Sequence, residues 1–130
     1  MRKNKVDIIT LGCSKNLVDS EQLMRQFAVN GYKVEHDPHK INGEIVVVNT
    51  CGFIGDAQEE SIEMILELGQ AKKQGKIGKL FVMGCLSERF LHDLEQELPE
   101  VDRFYGKFNW KELISDLGKA YHQELAYDRI

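Results

Sequence analysis

The stretch EIVVVNTCGF, residues 44–53, decides the fold. Its centre, Ile45 to Val48, is an uninterrupted run of β-branched apolar residues, which is typical of a strand covered on both faces. Such strands occur in parallel sheets that carry helices on each side. The run ends on Asn49 and Thr50, and Cys51 follows at once.

The same arrangement occurs twice more along the chain. VDIITLGC (residues 6–13) and KLFVMGC (residues 79–85) are also apolar runs that end at a glycine and a cysteine. We therefore expect three central strands, at Val6–Leu11, Glu44–Asn49 and Lys79–Met83. Turn residues before Tyr32–Glu35 and Arg103–Tyr105 indicate two weaker strands there.

Helical patterns lie between these strands. Apolar residues at helical spacing predict helices from Leu17 to Phe27, from about Asp56 to Gln74, and from Trp110 to about His122, and a further helix capped by Ser87 that buries Leu91, Leu94 and Leu98. Alternating strands and helices imply right-handed crossovers. We predict an α/β, flavodoxin-like three-layer sandwich, with a parallel sheet of about five strands in the order 2-1-3-4-5 and helices on both faces.

The predicted strand order gives the three cysteines a common location. Cys13, Cys51 and Cys85 follow adjacent strands, and the carboxyl ends of parallel strands share one edge of the sheet, where such folds bind ligands. Neighbouring helix N-termini favour thiolates there. Soft thiolates suit zinc, copper(I) or an iron-sulfur cluster. The C-x-x-C pairs common in structural zinc sites are absent, whereas a four-iron four-sulfur cluster held by three cysteines leaves one iron open.

Composition limits the remaining possibilities. The chain has 130 residues, of single-domain size, and a net charge of −4, which argues against direct nucleic-acid binding and favours a basic protein partner. No apolar run approaches the roughly 20 residues of a membrane span, and no signal peptide is evident. We expect a cytoplasmic protein.

The other polar residues have ordinary explanations. Asn16, Asp19, Ser20 and Glu21 are expected to cap the first helix, and Asn49 and Thr50 to tie down the loop backbone. The four histidines, His36, His39, His92 and His122, share no spacing and are predicted at the surface.

Two other classes of protein on this fold remain as alternatives. A phosphoacceptor switch domain would need an aspartate where Cys51 stands, and a flavodoxin would need a hydroxyl-rich phosphate loop where GCSKN stands. A dithiol redox protein would use a C-x-x-C pair, which is absent, although separated cysteines do not exclude such chemistry.

The motifs LGCSKNLVDSE (residues 11–21), VVNTCGFI (47–54) and MGCLSER (83–89) together resemble the N-terminal domain of the methylthiotransferases, which are radical S-adenosylmethionine enzymes. GCSKN is similar to the branch that modifies an aspartate of a small-subunit ribosomal protein, whereas the transfer-RNA-modifying branch, the alternative, tends toward GCQMN. The resemblance implies that Cys13, Cys51 and Cys85 bind an auxiliary four-iron four-sulfur cluster whose open iron presents sulfur.

The resemblance also implies parts that this sequence does not contain. Family members continue into a radical S-adenosylmethionine domain, whose C-x-x-x-C-x-x-C motif holds a second four-iron four-sulfur cluster and S-adenosylmethionine. We therefore expect residues 1–122 to be the auxiliary cluster domain and 123–130 a linker toward the radical domain. Alone, the chain is expected to be inactive.

Overall fold

The computed structural model describes residues 2–11, 14–50, 56–84, 96, 98–105 and 110–117. These residues form a five-stranded sheet in the order β2-β1-β3-β4-β5, with every neighbouring pair of strands parallel. The strands are β1 (Arg2–Thr10), β2 (Lys33–His36), β3 (Gly43–Thr50), β4 (Lys79–Gly84) and β5 (Arg103–Tyr105). The helices of the described part are α1 (Ser14–Val29), α2 (Asp56–Lys73) and α3 (Trp110–Asp116).

The central strand β3 is buried on both faces, as its apolar run predicts. Val46 and Val48 pack in one core cluster with residues of α2, while Ile45 and Val47 belong to a second cluster. The second cluster contains side chains of α1 and α3, namely Leu23, Phe27, Leu113 and Ile114. Helices therefore cover both faces of the sheet, and the predicted three-layer architecture is confirmed.

The turn after α1 shows why the chain reverses there. Gly31 adopts a left-handed backbone conformation, with φ of 92°, which glycine accepts without steric cost. The N–H of Tyr32 then donates to the carbonyl of Phe27 at 3.1 Å, as in a Schellman motif. The predicted stop at Asn30 and Gly31 is confirmed, and β2 begins at Lys33.

Most predicted boundaries agree with the structure to within one or two residues, including α2, which begins at Asp56 and ends at Lys73. Three boundaries differ: β1 begins at Arg2 and not at Val6, α1 begins at Ser14 and not near Leu17, and α3 ends at Asp116 and not near His122. The predicted start of the helix at Ser87 lies outside the described residues. Within the described residues, none of the helices has the length and apolar character of a membrane span.

Candidate metal centre

Three neighbouring strands end side by side at the carboxyl edge of the sheet. Thr10 of β1 pairs with Asn49 of β3, and Asn49 pairs in turn with Met83 of β4. One residue further, Thr50 pairs with Gly84. Adjacent parallel strands lie about 4.8 Å apart, so the three strand ends form one continuous row.

Each cysteine follows one of these strand ends in the sequence. Cys51 comes directly after Thr50, Cys85 directly after Gly84, and Cys13 three residues after the end of β1. The three cysteines themselves lie outside the described residues, so their assignment as ligands stays a prediction. The structure does bring together the strand ends from which all three depart.

A buried hydroxyl links two of the strand ends. Thr50 is fully buried, and its Oγ1 donates a hydrogen bond of 3.1 Å to the carbonyl oxygen of Met83. This bond joins the last residue of β3 to β4, just before Cys51 and Cys85 in the sequence. The predicted side-chain hydrogen bond from Thr50 to the backbone is present, but its acceptor lies in strand β4 and not in the loop.

The end of β1 is held from both sides. On the β3 side, the N–H of Leu11 donates to the carbonyl of Asn49 at 2.9 Å. On the β2 side, the N–H of Thr10 donates to Oδ1 of Asp37 at 2.9 Å, and its Oγ1 lies 2.7 Å from Nε2 of His36. These contacts fix the backbone that leads to Cys13.

Asp37 reaches Thr10 because of its backbone conformation. Its φ is 47°, in the left-handed region that aspartate tolerates better than most side chains. Its own N–H donates to the carbonyl of Ile8 at 2.8 Å, and Oδ2 lies 3.3 Å from Nε2 of His36. Thr10, His36 and Asp37 thus form a connected polar cluster beside the end of β1.

The location of His36 corrects the sequence prediction. His36 is the last residue of β2, and its side chain is only 24% exposed, because the β1–β2 register places it opposite Ile8 and within reach of Thr10. The surface assignment is right for His39, which is exposed. His92 and His122 lie outside the described residues.

A helix follows the first cysteine motif, as expected, although it begins three residues before the predicted Leu17. Residue Ser14, directly after Cys13 in the sequence, begins α1, so the positive end of the helix dipole lies beside this motif. Asn16, Asp19 and Ser20 fall in the first half of α1, but their side chains are outside the described part of the structure. Because α1 begins at Ser14, Asp19, Ser20 and Glu21 lie in its second turn, beyond the four N–H groups that a cap satisfies. The predicted capping by these three residues is therefore wrong, and that of Asn16, in the first turn, stays a prediction.

Within the described ranges, no three His, Cys, Asp or Glu side chains come together as a metal-holding group. The polar residues that sequence analysis missed at this edge are His36 and Asp37. The sequence shows only that Asp37 directly follows a short predicted strand. The pairing of this strand with β1, and the register that brings His36 and Asp37 to Thr10, are seen only in the structure.

Comparison with known proteins places these motifs in a family context. The model of the "Uncharacterized protein family UPF0004" matches residues 5–106. A protein of Parabacteroides distasonis named "Ribosomal protein uS12 methylthiotransferase RimO" is 89% identical over 130 residues, which cover 100% of this chain and 30% of that protein. A protein of the same name from Flavobacterium johnsoniae is 49% identical over 131 residues, with the same coverage.

The chain therefore spans about a third of the length of these curated relatives. The resemblance that the three cysteine motifs indicated is confirmed. Among solved structures, the rubredoxin oxygen:oxidoreductase of Desulfovibrio gigas matches 95% of this chain and 36% of its own, with a TM-score of 0.52 and 15% identity. At that identity the likeness concerns the fold alone, and it agrees with the predicted flavodoxin-like class.

Proposed function

We propose, from the premise that this chain belongs to the family described as UPF0004, that Cys13, Cys51 and Cys85 together bind one four-iron four-sulfur cluster. The observation that supports the proposal is the pairing of Thr10 with Asn49 and of Thr50 with Gly84, which brings the ends of the three strands that precede these cysteines in the sequence to one edge.

The donor set fits the group. Three thiolates are the soft ligands that iron-sulfur clusters require, and each follows a strand end in one row. When bound, a cluster with three protein thiolates supplies one iron that lacks a protein ligand and is free to hold a sulfur species.

The residues of the strand ends have a positioning role in this proposal. The Thr50 hydroxyl fixes the ends of β3 and β4 relative to each other. Asp37 and His36 hold Thr10, and hence the segment before Cys13, against β2. Metal sites depend on such supporting hydrogen bonds to orient their ligands.

We further propose that the chain is the N-terminal domain, residues 1–122, of a radical S-adenosylmethionine methylthiotransferase that modifies an aspartate of a small-subunit ribosomal protein in the cytoplasm. Residues 123–130 would lead to the radical domain, which would hold the second cluster and S-adenosylmethionine. The names of the relatives favour the ribosomal-protein branch over the transfer-RNA branch. The net charge of −4 suits a basic ribosomal protein as the partner.

The cluster proposal is tested by anaerobic reconstitution with iron and sulfide. We expect about four irons and four sulfides per chain, and loss of cluster in each of Cys13→Ala, Cys51→Ala and Cys85→Ala. Ser115→Ala, an exposed position on α3, serves as the control and should bind iron normally. A parent protein that binds no iron, or a cysteine variant that keeps the full cluster, would contradict the proposal.

The activity is tested in a full-length protein that contains this chain. Each cysteine variant should leave the ribosomal protein without the added methylthio group in the mass spectrum of purified ribosomes. Full modification by any one of the three variants would show that the cysteine is dispensable for the reaction.

A further inference from the structure

A cavity lies at the amino edge of the sheet, opposite the carboxyl edge that the cysteines follow in the sequence. Its volume is about 620 Å³, and it is lined by His39, Lys40, Ile41, Asn42 and Lys76. The first four residues belong to the loop that enters β3, and Lys76 belongs to the turn that enters β4. A cavity of this size is within the range of small-molecule sites. We propose that it binds a phosphate-bearing ligand of about mononucleotide size.

The polar side chains that line this cavity offer hydrogen-bond donors. Lys40 and Lys76 are exposed, and in the described part of the chain no hydrogen bond or ion pair engages either ammonium group. The side-chain oxygen of Asn42 accepts a hydrogen bond from Nζ of Lys5, which leaves both N–H donors of its amide for another partner. No carboxylate is among the described lining residues. Such a lining favours an anion.

The loop wall of the cavity is held in place by a buried ion pair. The Asp7 side chain is fully buried and lies 3.1 Å from Nζ of Lys5, which is itself only 4% exposed. Oδ2 of Asp7 accepts hydrogen bonds from the backbone N–H groups of Asn42 at 2.9 Å and of Gly43 at 2.8 Å. Nζ of Lys5 also lies 3.4 Å from the carbonyl of Lys40. The loop is therefore fixed from beneath before any ligand arrives.

The second wall is fixed by the end of α2. Gly75 has a φ of 77°, and the N–H of Lys76 donates to the carbonyl of Ala71 at 2.9 Å, as in a helix-terminating motif. The N–H of Gly78 donates to the carbonyl of Gly43 at 3.2 Å, which ties this turn to the opposite loop. A preformed site loses less conformational entropy on binding.

Charge and position together define the ligand. Lysine ammonium groups are common phosphate ligands, and this cavity places two of them together, neither paired with a carboxylate of the described residues, in a chain whose net charge is −4. The cavity is larger than a phosphate ion requires, so it has room for an attached nucleoside. β3 has eight residues, and the rise from one to the next is about 3.3 Å, so the two edges are about 23 Å apart. The site is therefore separate from the cysteine edge and does not depend on the proposed metal function.

The test is an NMR titration of backbone amide shifts with two probes, inorganic phosphate and adenosine monophosphate. We expect saturable shifts at residues 40–42 and 76 with both. Lys40→Ala with Lys76→Ala should weaken binding at least tenfold. Lys33→Ala, which removes another exposed lysine, on β2, is the matched control and should change it less than twofold. All of these lysines are exposed, and thermal unfolding should show that the variants fold.

The two probes separate the sources of the phosphate. Tighter binding of the nucleotide assigns the site to a nucleotide-sized ligand as proposed. Binding of inorganic phosphate alone, or of both probes with equal affinity, would overturn the size assignment. Absence of saturable shifts at these amides, or equal weakening by Lys33→Ala, would show that no specific phosphate site exists here.

Discussion

Replacing Thr50 by valine removes a side-chain hydrogen bond between the ends of β3 and β4. Valine keeps the branched shape in a fully buried position, so the main loss is the bond from Oγ1 to the carbonyl of Met83. A buried hydrogen bond of this kind contributes about 1–2 kcal/mol. In a domain of this size each kcal/mol corresponds to about 3–5 °C in Tm, so the variant should melt about 3–10 °C lower.

Thr50→Ser is the matched control, because it keeps the hydroxyl and loses a methyl group. The lost methyl should cost about 0.5–1.5 kcal/mol, so the two variants should have similar free energies of unfolding in urea. They should differ at the metal centre. We expect reconstituted Thr50→Val to lose iron to a chelator several-fold faster than the parent, whereas Thr50→Ser should lose it at the parent rate. Equal rates in both variants, or a Thr50→Val protein as stable as the parent, would refute the reasoning.

Three further predictions concern other contacts. A methyl group on Gly43 would lie 2.8 Å from the carbonyl oxygen of Lys5, so Gly43→Ala should lower the free energy of unfolding by about 1–3 kcal/mol, and an unchanged Tm would contradict this. Asp37→Ala removes the acceptor of the Thr10 N–H, so hydrogen exchange at that amide should accelerate about tenfold, while Asp37→Asn, which keeps an acceptor, should exchange near the parent rate. Burial, assisted by a hydrogen bond to an aspartate, raises the pKa of Tyr105 above its usual value of 10.0. Because the unfolded chain then loses this proton first, the contribution of Tyr105 to stability should be constant below pH 10 and should fall as the pH rises above it. Urea unfolding of Tyr105→Phe above pH 10 should show a shallower fall, and identical slopes would count against the assignment.

The central sheet could be predicted from the sequence because its signal is local. Strands buried on both faces need continuous apolar runs, and the run Ile45 to Val48 occupies the middle of β3 as that rule requires. Alternation with helices and right-handed crossovers indicated a parallel sheet, and the order of its strands was taken from the flavodoxin-like fold that five strands in this length suit. The same order predicted that the three cysteine motifs share an edge.

The first residues of β1 could not be predicted in this way. The segment from Arg2 to Lys5 is polar, and a charged pair such as Lys5 and Asp7 normally indicates an exposed strand. Here long-range partners override the local pattern. The N–H of Arg2 donates to the carbonyl of Asn42 at 2.7 Å, and the Lys5–Asp7 ion pair is covered by the loop that it holds.

The polar cluster beside β1 escaped prediction for a related reason. His36 and Asp37 lie 26 and 27 residues from Thr10 in the sequence. Their roles depend on the parallel pairing of β2 with β1, in which Ile8 lies opposite His36. A histidine without a motif carries no local sign of such a partner.

The central claim is that Cys13, Cys51 and Cys85 converge at one sheet edge, and titration of the reduced, metal-free protein with arsenite tests it most directly. Arsenite condenses with three thiols to form three arsenic–sulfur bonds and releases three waters, so it reports thiols that lie close together without the use of iron. We predict one arsenic per chain by intact mass, with all three thiols protected from alkylation. A complex in which any of the three thiols stays free, or uptake that persists unchanged in Cys51→Ala, would contradict the account.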